Sequence, residues 1–164
     1  MIRCFIGLGS NLEQPQEQVQ QACKALGELP DSHLVAVSSL YRSAPVGPQD
    51  QPDFINAVAI LDTCLAPEAL LDQLQQQEQQ QGRVRHRHWG ERTIDLDILL
   101  YGNQTLNTER LIIPHAELHN RSFVVIPLLE LAPELVLPGG LPLQQYPSSH
   151  DPDLIRLSST VIDL

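Results

Sequence analysis

The sequence predicts an α+β fold: an antiparallel sheet with its helices on one face, followed by a C-terminal extension. Three observations predict it. Apolar stretches of strand character alternate with two segments of helical spacing, in the order strand, helix, strand, strand, helix, strand. Each helical segment opens on a proline, Pro15 and Pro67, a residue favoured at the first helical position. No linker or internal repeat divides the 164 residues, 42% of them hydrophobic, so a single domain spanning 1–164 with one substantial core is expected.

The elements follow in order. Residues 1–8 form an apolar run, read as a strand that ends in a turn at Gly7–Leu8–Gly9–Ser10–Asn11. These glycines lack the later Gly-Lys-Ser/Thr of a Walker loop, and Leu12 stands where a dinucleotide fingerprint needs a third glycine. A helix from Pro15 to about Leu29 buries Val19, Ala22, Cys23, Leu26 and Leu29. Residues 34–41 and 54–61 are the next strands, joined by a connector with three prolines, too long for a tight hairpin. The second helix runs from Pro67 to about Gln81 with Leu70, Leu71 and Leu74 inward, and Gly82 stops it. Its glutamine-rich end reads mostly as a solvated face. Residues 93–101 make the next strand, and 104–108 a possible edge strand. A helical or mixed segment at 114–131 is interrupted by Pro127, and a proline-rich, loop-like tail follows. This order is the split βαβ, or ferredoxin-like, βαββαβ arrangement, which leaves one sheet face free for ligands.

The chemistry concentrates at residues 83–101. Ile94, Leu96, Ile98 and Leu100 alternate with Thr93, Asp95, Asp97 and Leu99. If the first set packs under the helices, Asp95 and Asp97 share the open face, about 6.5–7 Å apart at Cα. Two like charges at that distance repel by about 2.5 kcal/mol at an effective dielectric near 20. A divalent cation would turn that repulsion into attraction, and salt bridges to neighbouring arginines are the plainer alternative.

The net charge is −10, which argues against a long polyanion as partner. Nine of the ten basic residues are Arg, and Arg83, Arg85, Arg87 and Arg92 directly precede the aspartates. Guanidinium groups beside paired carboxylates suit a metal-bridged triphosphate. Cys4, Cys23 and Cys64 are odd in number and scattered, so they read as reduced thiols, not as a disulfide framework or zinc site. No secretory leader pattern or apolar run of membrane length occurs, and a cytoplasmic location is the expectation.

Four blocks occur in one order across residues 5–135. They are Gly7–Leu8–Gly9–Ser10–Asn11–Leu12; Gly47–Pro48–Gln49–Asp50–Gln51–Pro52–Asp53–Phe54–Ile55–Asn56–Ala57; His88–Trp89–Gly90–Glu91–Arg92–Thr93–Ile94–Asp95–Leu96–Asp97–Ile98–Leu99; and Pro114–His115. Together they resemble the signature of the 6-hydroxymethyl-7,8-dihydropterin pyrophosphokinases of folate biosynthesis. The resemblance implies transfer of pyrophosphate from ATP to the pterin hydroxymethyl group with release of AMP. It further implies a ferredoxin-like fold, two Mg²⁺ ions, ATP as co-substrate and a monomer, with neither nucleic acid nor membrane as partner.

Residue by residue, the resemblance makes Asp95 and Asp97 the metal ligands and Arg83 and Arg92 the catalytic arginines on the triphosphate. It puts Glu78, Arg85, Trp89, Arg110, His115 and Arg121 around ATP, with Ile98 lining the adenine pocket. The pterin falls to Ser43, Ala44 and Val46 through their backbone, and to Phe54, Asn56, Trp89 and Phe123. An asparagine amide offers both donor and acceptor to a pterin edge, and the aromatic rings can sandwich a flat heterocycle. The chain departs from the family pattern at His88, where Arg is usual, at Phe54 for Tyr, and at Glu91 for Pro; residues 85–89 are also one position short. No matching motif follows about Leu141. Two other functions fit the residues before the resemblance is weighed: a sheet-based RNA-binding module and a metal-dependent phosphohydrolase.

Overall fold

The computed structural model describes residues 1–12, 14–45, 49–82 and 93–157. Among these, the elements in order are β1 (Ile2–Ser10), α1 (Pro15–Leu26), β2 (Ser32–Val37), β3 (Tyr41–Ser43), β4 (Phe54–Thr63), α2 (Pro67–Gln80) and β5 (Asp95–Tyr101). There follow β6 (Leu106–Asn107), β7 (Ile112–Ile113), α3 (Ser122–Leu131) and β8 (Ile155–Arg156), with short 3-10 turns around α3. The main sheet is antiparallel in the order β5-β1-β4-β3-β8, and β2 also pairs with β4. No described helix is long and apolar enough to cross a membrane.

One face of this sheet carries α1 and α2, as their apolar spacing predicts. Cys4, Ile6 and Leu8 of β1 pack with Val19, Cys23 and Leu26 of α1 and Leu70 and Leu74 of α2. Full burial of each such Leu or Ile contributes about 1.5–3 kcal/mol. Burial also pushes the Cys4 and Cys23 thiols up to about 12, while Cys64 is exposed and unpaired to any other cysteine.

The opposite face is not wholly open. It carries a second cluster in which Val124, Val125 and Leu128 of α3 pack with Phe5, Val58, Ile60, Leu99 and Leu100. Thus α3 packs over the half of that face nearer the start of β1, and among the described residues it makes no part of the cluster at the end of β1. Pro127 does not break α3; it lies buried inside the helix.

Several details of the secondary structure differ from the expectation, beginning with α1, which ends at Leu26 and not near Leu29. The turn expected at Gly7 and Gly9 is strand, because β1 continues in register with β4 through Ser10. The strand expected at 34–41 is two strands: the Ser38 hydroxyl accepts the Val58 N–H at 2.9 Å and so stands in for a backbone partner where the chain bends. Leu100 does not pack under α1 and α2. A register shift between Phe5 and Ile6 pairs Leu100 with Phe5 and Ile98 with Ile6, so Leu99 is an extra residue and Leu100 turns to the α3 side. Finally, β6 pairs with β7 in a separate two-stranded ribbon instead of extending the main sheet.

The loop-like tail is partly strand, since β8 pairs with β3. Glu130 of α3 joins these elements. It accepts the Tyr41 hydroxyl at 2.5 Å and the Ser39 N–H at 2.8 Å, and Arg156 lies 3.8 Å away. Burial, then the Glu130 bond, holds the Tyr41 hydroxyl well above its ordinary pKa.

Candidate active site

Alternation along three neighbouring strands builds the site. On the face away from α1 and α2, Asn56 of β4 and Asp95 of β5 both pair with Gly9 of β1, and Val58 and Asp97 both pair with Gly7. Gly9 therefore floors the gap between Asp95 and Asn56 with no side chain of its own, while the Leu99 side chain lies over Gly7. A side chain at either glycine would crowd its neighbour. A Cβ on Gly9 would lie 3.1 Å from Asn56 Oδ1, and one on Gly7 would lie 3.3 Å from a Leu99 methyl. The strand period was the signal for this floor, hidden by the reading of these glycines as a turn.

Asp97 is exposed and Asp95 half-buried. Between them, the Leu96 N–H points to the outer edge of β5 and is accepted by Glu78 Oε2 at 2.8 Å. Glu78, buried near the C-terminal end of α2, thus braces the strand that presents both aspartates. By strand alternation the peptide groups of Ile98 face this same outer edge. The Ile98 side chain lies in the helix-side core, 2% exposed.

Asn56 is buried, and its Nδ2 donates to Ser43 Oγ at 2.8 Å. Among the described residues no donor is recorded to its Oδ1, which overhangs the Gly9 floor. Phe54 lies beside it, with Cδ1 3.8 Å from the Gly9 Cβ position. Asn11 donates to Gln51 Oε1 at 2.9 Å and to the Pro52 carbonyl at 3.0 Å, tying the connector before β4 to the end of β1.

A pocket of about 530 Å³ opens nearby between β3, α3 and the tail. Ser43, Ala44, Arg121 and Phe123 line it, as do Glu117, Asn120, Ser122, Asp151, Asp153 and Leu154. The Arg121 guanidinium carbon sits 5.8 Å from the Phe123 ring centroid, within cation–π range. The backbone N–H of His115 donates to the Leu99 carbonyl at 3.0 Å, docking this residue against β5. Arg110 is held on α2 instead: its Nη2 is 2.6 Å from Asp72 Oδ1, a bond that raises its pKa.

Arg83, Arg85, Trp89, Arg92 and Val46 lie outside the described residues. The flanks of the arginine stretch are described: Thr93 Oγ1 donates to the Gly82 carbonyl at 3.3 Å. Gly82 and Thr93, the residues on either side of that stretch, therefore meet at the entrance to β5, two residues from Asp95.

Residues 5–133 match the profile of the family described as 7,8-dihydro-6-hydroxymethylpterin-pyrophosphokinase (HPPK). The chain belongs to this family. Its enzymatic class is that of an HPPK: a pyrophosphokinase, an ATP-dependent transferase. The chain is similar to the 2-amino-4-hydroxy-6-hydroxymethyldihydropteridine pyrophosphokinase of Haemophilus influenzae, 59% identical over 140 residues, covering 85% of this chain and 88% of the relative. It is also 56% identical to the protein of that name from Pseudomonas aeruginosa over 138 residues, covering 84% of this chain and 85% of the relative.

Solved structures show the same HPPK fold at low identity. An HPPK-DHPS in complex with substrates matches with a TM-score of 0.68 at 13% identity, covering 91% of this chain and 45% of that one. Plasmodium falciparum HPPK-DHPS matches with a TM-score of 0.70 at 12% identity, covering 94% and 48% respectively. The chain spans less than half the length of these larger proteins.

The donor set of this HPPK fits a hard divalent cation. Among the described residues no group of three or more His, Cys, Asp or Glu side chains converges. Asp95 and Asp97 instead offer carboxylate oxygens from one face of one strand. Magnesium commonly takes one or two carboxylates and completes its shell with water and substrate phosphates.

Proposed function

We infer that this chain transfers the β,γ-pyrophosphoryl group of ATP to the hydroxymethyl oxygen of 6-hydroxymethyl-7,8-dihydropterin, yielding the pterin diphosphate and AMP in folate biosynthesis. The observation that carries this reading is the Gly9 floor, with the buried Asn56 amide on one side of it and Asp95, followed on the same face by Asp97, on the other. It sets a heterocycle-binding amide and a metal-binding carboxylate pair across one strand from each other. Family membership supplies the reaction class.

Asp95 and Asp97 would hold two Mg²⁺ ions, which when bound supply charge neutralisation on the triphosphate and polarise the phosphorus under attack. The pterin hydroxyl oxygen forms a bond to the β-phosphorus as the bond from that phosphorus to the α,β-bridging oxygen breaks, and the hydroxyl proton is released. Arg83 and Arg92 grip the developing negative charge, so that positioning and electrostatics do most of the work. Glu78 holds the β5 backbone in place beneath the aspartates. The outward peptide groups of Ile98 offer one donor and one acceptor to an adenine edge, with Arg85, Trp89, Arg110 and His115 around the nucleotide and Arg121 where the triphosphate meets the adjoining pocket.

The pterin takes the Asn56 bank and the adjoining pocket. Three carboxylates but one guanidinium line that pocket, a balance that suits a neutral heterocycle better than a triphosphate. Ser43, Ala44 and Val46 face the ring edge, and Phe54, Trp89 and Phe123 stack on it. The strand order β5-β1-β4, with β2 and β3 together flanking β4, supports the ferredoxin-like reading with its second strand split.

The test is to incubate the protein with Mg²⁺, ATP and the reduced hydroxymethylpterin and to identify the nucleotide formed. AMP produced only when the pterin is present supports the reading. ADP, or nucleotide turnover independent of the pterin, overturns it.

A further inference from the structure

The tail that showed no motif touches both walls of the pocket. One wall is β3, whose Ser43 holds the Asn56 amide. Against it, Tyr41 pairs with Arg156 and Arg42 with Ile155, and the Leu157 N–H donates to the Leu40 carbonyl at 2.9 Å. The other wall is the start of α3. There Ser122 Oγ donates to Asp151 Oδ2 at 2.5 Å, and Ser148 Oγ donates to the His119 carbonyl at 2.6 Å. The Asp151 carboxylate is itself fixed, because Oδ1 accepts the Asp153 N–H at 2.9 Å. Ser122 lies between Arg121 and Phe123, both of which line the pocket.

We propose that residues 147–157 are a positioning strap for the pterin pocket, and that Asp151 sets the distance between its walls by holding Ser122. The proposal rests on the assignment of this pocket to the pterin. The profile match ends at residue 133, so the strap lies beyond the segment that carries the family's motifs. Asp151 acts through Ser122 on the placement of Phe123, while β8 holds the β3 wall that carries Ser43. A one-sided anchor would leave the opposite wall free to shift; the strap ties both to one short segment. Asp151 touches no reacting atom in this scheme and is a positioning residue.

The test compares Asp151→Ala, Asp151→Asn and Ser122→Ala in the full chain by steady-state kinetics and by equilibrium titration with the pterin. Loss of a hydrogen bond to a charged acceptor weakens binding by roughly tenfold or more. The expected result for Asp151→Ala is a rise of about tenfold in the pterin KM, with the ATP KM unchanged and kcat altered less than threefold. Ser122→Ala removes the same bond from the other side and gives the same selective rise if Asp151→Ala folds poorly. Asp151→Asn keeps Oδ1 for the Asp153 N–H and turns Nδ2 to donate to Ser122 Oγ, so the link survives and the wild-type KM is restored. An unchanged pterin KM in both alanine variants, or equal rises for pterin and ATP, overturns the strap. Wild-type protein in the same assay separates the two readings. If it makes no pterin-dependent AMP, the pterin assignment falls and the strap with it; if it does, a null result in the variants removes the strap alone.

Discussion

Asn56 and Asp95 stand on one rung of the sheet, each paired with Gly9, which separates them without a side chain of its own. Two strand spacings set their Cα atoms about 9.5 Å apart. In the proposed reaction the reacting ends of the two substrates would meet above this glycine.

Filling the floor therefore harms the site before it harms the fold. In Gly9→Ala the new methyl would lie 3.1 Å from Asn56 Oδ1 and displace the amide. The expected outcome is a rise of roughly ten- to a hundredfold in the pterin KM, with the far-ultraviolet circular dichroism unchanged. A wild-type KM in Gly9→Ala would mean that the amide does not meet substrate.

Asp97 is the more exposed of the two aspartates and lies in register with Gly7. Its replacement by Ala is expected to weaken ATP binding in the presence of Mg²⁺ and to leave metal-free binding nearly unchanged. Titration calorimetry with and without Mg²⁺ reads the difference, and equal affinities for wild type and variant with Mg²⁺ would contradict the ligand role.

Arg92 closes the arginine stretch next to Thr93 and β5. Arg92→Ala is expected to lower the rate of the chemical step by about 10²–10³, the usual effect of removing one preorganised charge-stabilising group. Single-turnover quench measurements with excess enzyme isolate that step. A near-normal rate removes Arg92 from the catalytic set.

Glu78 satisfies an N–H on the outer edge of β5 and is buried as it does so. Glu78→Ala leaves that donor without its acceptor, at a cost of about 1–3 kcal/mol. A fall in Tm of roughly 2–4 °C per kcal/mol is expected at this chain length. Calorimetric melting tests it, and a wild-type Tm would show that water replaces the carboxylate.

The thiols divide by burial. With Cys4 and Cys23 pushed up to about 12, on the order of one in 10⁴ of each is thiolate at pH 8. Native protein at pH 8 is expected to take up one equivalent of iodoacetamide, at exposed Cys64, and three equivalents in denaturant. Mass spectrometry of the native protein showing label on Cys4 or Cys23 would contradict the packing under α1 and α2.

Much of this layout was legible along the chain. Strand alternation put Asp95 and Asp97 on one face, and helical spacing chose the buried sides of α1 and α2 except at Leu29, which lies beyond the end of α1 and is half-buried. The family blocks carried the reaction class. Other features were not legible because no local period encodes them. The bulge at Leu99, which sends Leu100 to the α3 side, arises only when β5 pairs with β1. Glu78, set within a glutamine-rich run, shows its role only once α2 lies against the edge of β5.

What the sequence by itself determined is therefore β1, β4, β5 and the two helices α1 and α2, with the side on which most of their residues point, since side-chain direction follows from backbone geometry within a few residues. Only the tertiary structure decided what faces what. Gly9 became a floor because β1 lies between β4 and β5, and Asp151 met Ser122 across 29 residues of chain. Glu130 likewise met Ser39 across 91. Such meetings depend on strand register and on the packing of whole elements, and neither is written in any short stretch of residues.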